Sequence, residues 1–281
     1  MALTQVNRGT TPNDNSADTL YVAFGKVNAN ASSLDITIET SSDSTFNSVR
    51  VGKGAGNING NTVVGNTTLI ANTTGSANTA VGFASLNKNQ GGSGNTANGI
   101  NSLKENVSGI NNTGIGAGAL QNSLLNDNTA LGYLAGSNFT DLTNVTCIGY
   151  GSQGSASNQV TLGNGAITSL RCQVTSITSL SDERDKTDIV EITEGLDFVS
   201  KLKPVTFTWN QRDGNRTGLK SAGFIAQDLL ELQNDSLIGE NLDLVSDTDP
   251  LKLEARYGNL LPVMIKAIQE LTARINVLEN N

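Results

Sequence analysis

The chain has 281 residues, a net charge of −8 and only 12 aromatic residues. That length allows one to three domains, the shortage of aromatics argues against one large conventional core, and the acidity disfavours nucleic acid and anionic membrane as partners. Histidine is absent, which removes the commonest general base and the commonest metal ligand; neither a metal nor a cofactor is expected.

Residues 1–180 hold 7 Lys and Arg, 8 Asp and Glu, and 24 of the 30 glycines. Residues 181–281 hold 11 basic and 18 acidic residues in little more than half the length. Two kinds of protein therefore meet at Ser181, and the chain divides into residues 1–49, 50–180 and 181–281. Cys147 and Cys172 lack Cys-x-x-Cys spacing and read as small buried hydrophobes. No apolar run reaches the roughly 20 residues of a membrane span, so membrane insertion is not expected. Met1-Ala2-Leu3-Thr4-Gln5 has neither the basic start nor the apolar run of a signal peptide, so synthesis in a cytoplasm without the usual export route is expected.

In the opening segment, Pro12 and Asn13-Asp14 mark a turn, and Leu20, Ala23, Phe24 and Val27 fall at helical spacing. So short a helix is marginal alone and is expected to pack on its own copies or on a partner. The run Gly9-Thr10-Thr11-Pro12-Asn13-Asp14, followed by Ala23-Phe24-Gly25-Lys26-Val27-Asn28-Ala29-Asn30, resembles the start of many phage tail-fibre and baseplate proteins. The resemblance implies attachment to another virion tail or baseplate protein. Those proteins carry a second acidic-glycine turn, replaced here by Asn15-Ser16-Ala17-Asp18.

A repeat dominates the middle of the chain. Asn61-Thr62-Val63-Val64-Gly65 returns from Asn78, Asn95 and Asn112 at steps of 17, from Asn128 after 16, and in degraded form as Val145-Thr146-Cys147-Ile148-Gly149 after 17. Leu69, Leu86, Leu103 and Leu120 keep the step, as do Asn72, Asn89 and Asn106. Each repeat offers a short strand and a second apolar segment, with Gly and Asn at the positive-φ bends. Ala80, Ala84, Ala97, Ala117 and Ala119 are the predicted inward set, so the coil is narrow, and stacked Asn and Thr form ladders between turns. A narrow coil has little core of its own, which points to three copies around an axis. Residues 50–165 resemble the heads of trimeric autotransporter adhesins and similar repeats in phage tail fibres, which implies a trimeric parallel β-roll or β-solenoid. The repeated Asn and Thr read as scaffold rather than as a sugar- or ice-binding ladder.

After the repeats, Asn158–Gly163 and Leu170–Ile177 alternate as strands. The last third reads as α+β: a helix over Gly195–Lys203, a strand over Pro204–Trp209, a polar turn over Asn210–Gly218, a strand at Gly223–Ala226 and a short helix over Asp228–Leu232. From about Tyr257 a long helix carries Leu261, Met264, Ile268, Leu271, Ile275 and Leu278 in a heptad seam, with Pro262 in its first turn.

This last third resembles the C-terminal intramolecular chaperone of phage endosialidases and tail spikes, a self-cleaving serine–lysine domain. The matching runs are S-L-S-D-E-R-D-K-T-D-I (179–189), L-K-P-V-T-F-T-W (202–209), G-F-I-A-Q-D (223–228), A-R-Y-G-N-L-L-P (255–262) and A-I-Q-E-L (267–271). The resemblance implies that Ser181 is the nucleophile, Lys186 the base and Leu180–Ser181 the bond cut. The chemistry is coherent, since a serine hydroxyl needs a base, no histidine exists, and a neutral lysine serves. Carboxylates of Asp182, Glu183 or Asp185 facing Lys186 would oppose it.

Taken with these resemblances, the expectation is a mainly β homotrimeric phage tail fibre of the virion: an attachment segment, a solenoid shaft, and an α+β chaperone domain ending in a coiled-coil helix. It is expected to bind a host cell-surface receptor, a glycan, through residues around 140–180. A non-cleaving fibre or adhesin, with the last domain as a permanent clamp, is the alternative. A bacterial adhesin would need an export signal and a membrane β-barrel anchor. A glycan-degrading tail spike would need an acid–base pair, and residues 55–165 offer only Glu105, Asp127 and Asp141.

Overall fold

The computed structural model describes residues 43–173, 177–212, 214 and 216–280. The predicted helix over Leu20 to Val27, and the rest of the opening segment up to residue 42 with its expected attachment role, lie outside the described residues.

Strands β1 (Ser44–Phe46) and β2 (Val49–Gly52) form a hairpin whose turn residues Asn47 and Ser48 both take positive φ, the geometry of a tight primed turn. Strand β2 runs antiparallel to β3 (Thr62–Val64) and opens the coil. Strands β4 (Thr79–Val81), β5 (Thr96–Asn98), β6 (Thr113–Ile115), β7 (Thr129–Leu131), β8 (Thr146–Ile148) and β9 (Val160–Leu162) then stack parallel in sequence order. Thr62, Thr79, Thr96, Thr113, Thr129 and Thr146 stand in register, so each repeat is one turn of a parallel solenoid. Where a repeat is shorter, the residues are lost from the bends and the strand register is kept.

The middle residue of each strand points inward. Val63, Ala80, Ala97, Ala130 and Cys147 are fully buried, and Gly114 holds the same place. Ala84 and Ala119 are buried as expected, whereas Ala117 is half-buried. The second apolar segment forms turns instead of a strand, and it supplies the largest core residues: Leu69, Leu86, Leu103 and Leu120, all fully buried. These leucines sit at φ 46, 47, 49 and 50. Sequence reasoning assigns positive φ to Gly and Asn, but burying a leucine yields about 1.5–3 kcal/mol against a left-handed cost of about 1–2 kcal/mol. Burial wins at these four positions.

Buried asparagines tie the turns together. The Oδ1 atoms of Asn61, Asn78, Asn95 and Asn112 accept the backbone N–H of Asn78, Asn95, Asn112 and Asn128 at 2.9, 3.0, 2.9 and 3.0 Å. Their Nδ2 groups donate to the carbonyls of Gly75, Gly92, Gly109 and Leu125. A second file has Asn106 donating to Asn89 and Asn89 to Asn72. Inside the coil each amide is consumed by its neighbours, as a buried polar group requires. These asparagines are scaffold.

The last third has its own core of Phe198, Leu229, Leu242, Leu244, Val245, Leu260 and Val263. It contains helix α1 (Leu196–Lys201), the hairpin β10 (Val205–Asn210) and β11 (Thr217–Gly223), helices α2 (Ala226–Asn234) and α3 (Gly239–Leu242), and the short pair β12 (Val245–Ser246) and β13 (Glu254–Ala255). A 3-10 turn over Tyr257–Leu260 leads into α4 (Leu261–Glu279), with Pro262 in its first turn as expected. Gly195 lies so close to α4 that an added Cβ would be 2.7 Å from the Ala267 nitrogen, and the Glu270 carboxylate accepts the Leu196 N–H at 2.8 Å.

Three sequence expectations are corrected. Phe224 and Ile225 are not strand, because the Tyr257 hydroxyl takes both Phe224 backbone groups, at 3.2 and 2.9 Å, and Ala226 already begins α2. Of the strand expected over Leu170–Ile177, Leu170–Gln173 is not strand and residues 174–176 lie outside the described residues: β9 is the last strand of the described sheet, and alternation without a neighbouring strand has nothing to pair with. Cys147 is buried as expected, but Cys172 is exposed, and both are free thiols.

Candidate active site

Between residues 177 and 194 the only regular element among the described residues is one 3-10 turn, Glu183–Asp185. Its construction is local. The Asp182 side chain caps the turn by accepting the Arg184 N–H at 2.9 Å. The N–H groups of Asp185 and Lys186 donate to the carbonyls of Asp182 and Glu183. That single turn folds residue 186 back over residue 181. The Lys186 Nζ donates to Ser181 Oγ at 2.6 Å and to the Ser181 carbonyl at 3.2 Å.

The acids around the lysine are disposed unevenly. The Asp182 carboxylate is gripped by Arg184 through Nε at 3.0 Å and a terminal nitrogen at 2.6 Å, a fork geometry. This side-chain contact, followed by the Arg184 backbone N–H, holds the Asp182 carboxyl below its usual range, and Asp182 raises Arg184 in return. Lys186 takes part in none of the ion pairs of the described residues.

Ser181 and Lys186 line an open cleft of about 1050 Å³. One wall is the chain from Thr187 to Ile192; the other comprises Ile238, Asn241, Leu242, Gly258, Asn259, Leu261 and Pro262. Leu180, just outside, is fully exposed. The Ser179 Oγ lies 3.5 Å from the Leu180 carbonyl oxygen, too long for a strong hydrogen bond but on the atom where charge would develop if Leu180–Ser181 were attacked.

The structure thus brings Ser181 and Lys186 together at the seam. Sequence reasoning saw in Asp182 only a carboxylate that could oppose Lys186; the signal that would have found its pairing with Arg184 is an Asp with a free backbone N–H two residues on, the usual capping arrangement. Of the shaft acids, Glu105 is paired with Lys88 and Lys104, and Asp127 accepts from Asn111. Among the described residues no group of three or more His, Cys, Asp or Glu could hold a metal, and no helix is long and apolar enough to cross a membrane.

Two apolar surfaces lie open. On α4 the inward residues are Val263 and Ala267, while the heptad residues Leu261, Met264, Ile268, Leu271, Ile275 and Leu278 face away from the domain core and are exposed. On the solenoid, Ile115, Leu131, Ile148 and Leu162 form an exposed file along the outer strand positions, with Phe83, Ile100 and the stacked pair Tyr133–Tyr150 beside it.

Residues 181–237 match the model of a peptidase family described as the chaperone of endosialidase, and the matched span opens on Ser181. The match supports a C-terminal chaperone domain and is consistent with self-cleavage. No curated protein and no solved structure matches the chain.

Proposed function

We propose that the chain is a phage tail-fibre protein whose last domain drives assembly and then cuts itself off before Ser181. The observation that carries this reading is the contact of Lys186 Nζ with Ser181 Oγ, located at the junction of solenoid and chaperone domain. In the reaction, neutral Lys186 takes the Oγ proton while Oγ bonds to the Leu180 carbonyl carbon. The Leu180–Ser181 C–N bond breaks and the Ser181 nitrogen takes up a proton. Water then hydrolyses the resulting ester, leaving a Leu180 carboxylate and a free Ser181 amine and hydroxyl. Each chain does this once.

Homotrimer formation is supported by the two open surfaces. A seam of six apolar residues on α4 and a file of apolar residues along the shaft stand exposed in rows, the kind of surface that marks an interaction site. Identical neighbours around an axis would bury both. The α4 clamp supplies high local concentration while the shaft, built of non-local parallel pairings, finds its register. Once the clamp leaves, unfolding cannot retrace the assembly route, so the shaft is kinetically trapped. Within this reading, residues 1–49 hold a virion tail or baseplate protein, the distal shaft meets a host-surface glycan, and the protein resides in the virion.

The test is to express the full chain beside Ser181→Ala and Lys186→Ala and to run denaturing gels together with native mass measurement. Fragments of 180 and 101 residues from the unaltered chain alone support the dyad. An unaltered chain that stays intact under every condition leaves a permanent clamp instead, and a monomeric native mass sinks the fibre.

A further inference from the structure

We infer that Asp182 and Arg184 are a paired positioning device for the Ser181–Lys186 site: Asp182 closes the turn that lays Lys186 on Ser181, and Arg184 offsets the charge that Asp182 would otherwise present to that lysine. This rests on the self-cleavage reading above. The geometric half follows from the bonds. Without the Asp182 cap the turn keeps only two long backbone bonds, Asp185 N–H to Asp182 at 3.2 Å and Lys186 N–H to Glu183 at 3.1 Å. A free five-residue segment samples many conformations in which Nζ and Oγ do not meet.

The charge half follows from what surrounds the lysine. As base, Lys186 must be neutral, and each nearby carboxylate favours its ammonium form. The turn carries Glu183 and Asp185 besides Asp182, and the cleft adds Asp188 and Glu191. The opposite wall, from α3 and the start of α4, brings no charged residue to the cleft lining. Arg184 is therefore the single cation besides Lys186 in this set of groups, and it is committed to the acid next to the nucleophile. Loss of the cation and loss of the carboxylate therefore push the balance between ammonium and amine at that lysine in opposite directions.

Single-turnover cleavage of the full chain, started by refolding from urea across neutral to alkaline pH, reads both halves. Asp182→Ala removes the cap and lowers the plateau rate about five- to tenfold, whereas Asp182→Asn, which still caps, recovers most of it. Arg184→Gln moves the pH of half-maximal rate up by about half a unit, Asp182→Asn moves it down, and the double variant Asp182→Asn/Arg184→Gln returns it to that of the unaltered chain. A merely structural role would change the plateau and leave the midpoints still. An unaltered chain that cleaves while Arg184→Gln keeps its midpoint, or while Asp182→Ala keeps its rate, overturns the inference alone. An unaltered chain that never cleaves overturns the dyad reading and the inference with it.

Discussion

Lys186 Nζ sits 2.6 Å from Ser181 Oγ while the carboxylate next to the serine, Asp182, turns to Arg184. One turn of 3-10 helix produces both results. It shortens the path from residue 181 to residue 186, and its cap directs the Asp182 side chain into the turn.

This relationship separates two roles for the lysine. Lys186→Arg keeps a cation and hydrogen-bond donors near Ser181, but a guanidinium does not give up its proton near neutral pH. If the lysine is the base, cleavage falls by about 10²–10⁴-fold, read by gel, while the native mass of the uncut assembly is unchanged. Cleavage at an undiminished rate would assign Lys186 to positioning only.

The turn also has an acid limit with a defined sign. Arg184 depresses the Asp182 carboxyl, so the ion pair favours the folded turn above the ordinary carboxylate value of 3.8 and is lost as pH falls through the lowered value. Carboxyl NMR titration of Ser181→Ala protein should place the Asp182 midpoint below 3.8. In Arg184→Gln protein the midpoint should rise back toward it.

In the shaft, Leu103→Ala empties a fully buried site and should cost about 2–5 kcal/mol per chain in denaturant unfolding. Asn95→Ala strips the buried Asn112 N–H of its acceptor, at about 1–3 kcal/mol for a group left unpaired, while the Gly109 carbonyl keeps the Asn106 amide. Substituting the outward-facing Asn98 should change stability by less than about 0.5 kcal/mol. Equal effects at Asn95 and Asn98 would contradict the ladder.

The thiols report on the same core. Burial pushes the Cys147 thiol up, against weaker opposing hydrogen bonds from Ser152 and nearby backbone, whereas Cys172 is exposed. A thiol reagent should titrate one cysteine in native protein and two after unfolding. Cys147 should react roughly a thousandfold more slowly or worse, set by opening of the coil. Two fast thiols in native protein would contradict the buried place of Cys147.

Much of the architecture was legible because the repeat writes it out. A constant step through Thr62, Thr79, Thr96 and Thr113 admits one stacking register, and the structure adopts it. The positive-φ leucines were not legible: local propensity argues against them, and only a shared interior outweighs it. The strand expected at Phe224 failed for a similar reason, since Tyr257, 33 residues later, claims its backbone groups.

At the candidate site the residue types and the seam at Ser181 came from sequence, as did the heptad on α4. A linear string determines composition, period and spacing. Which carboxylate faces the lysine depends on the direction each side chain takes in three dimensions, and the folded turn decided that Asp182 goes to Arg184. Likewise the heptad marks an apolar face, but only the packed domain determines which residues of α4 it uses. Because Val263 and Ala267 meet the core, the heptad residues Leu261, Met264, Ile268, Leu271, Ile275 and Leu278 are left open.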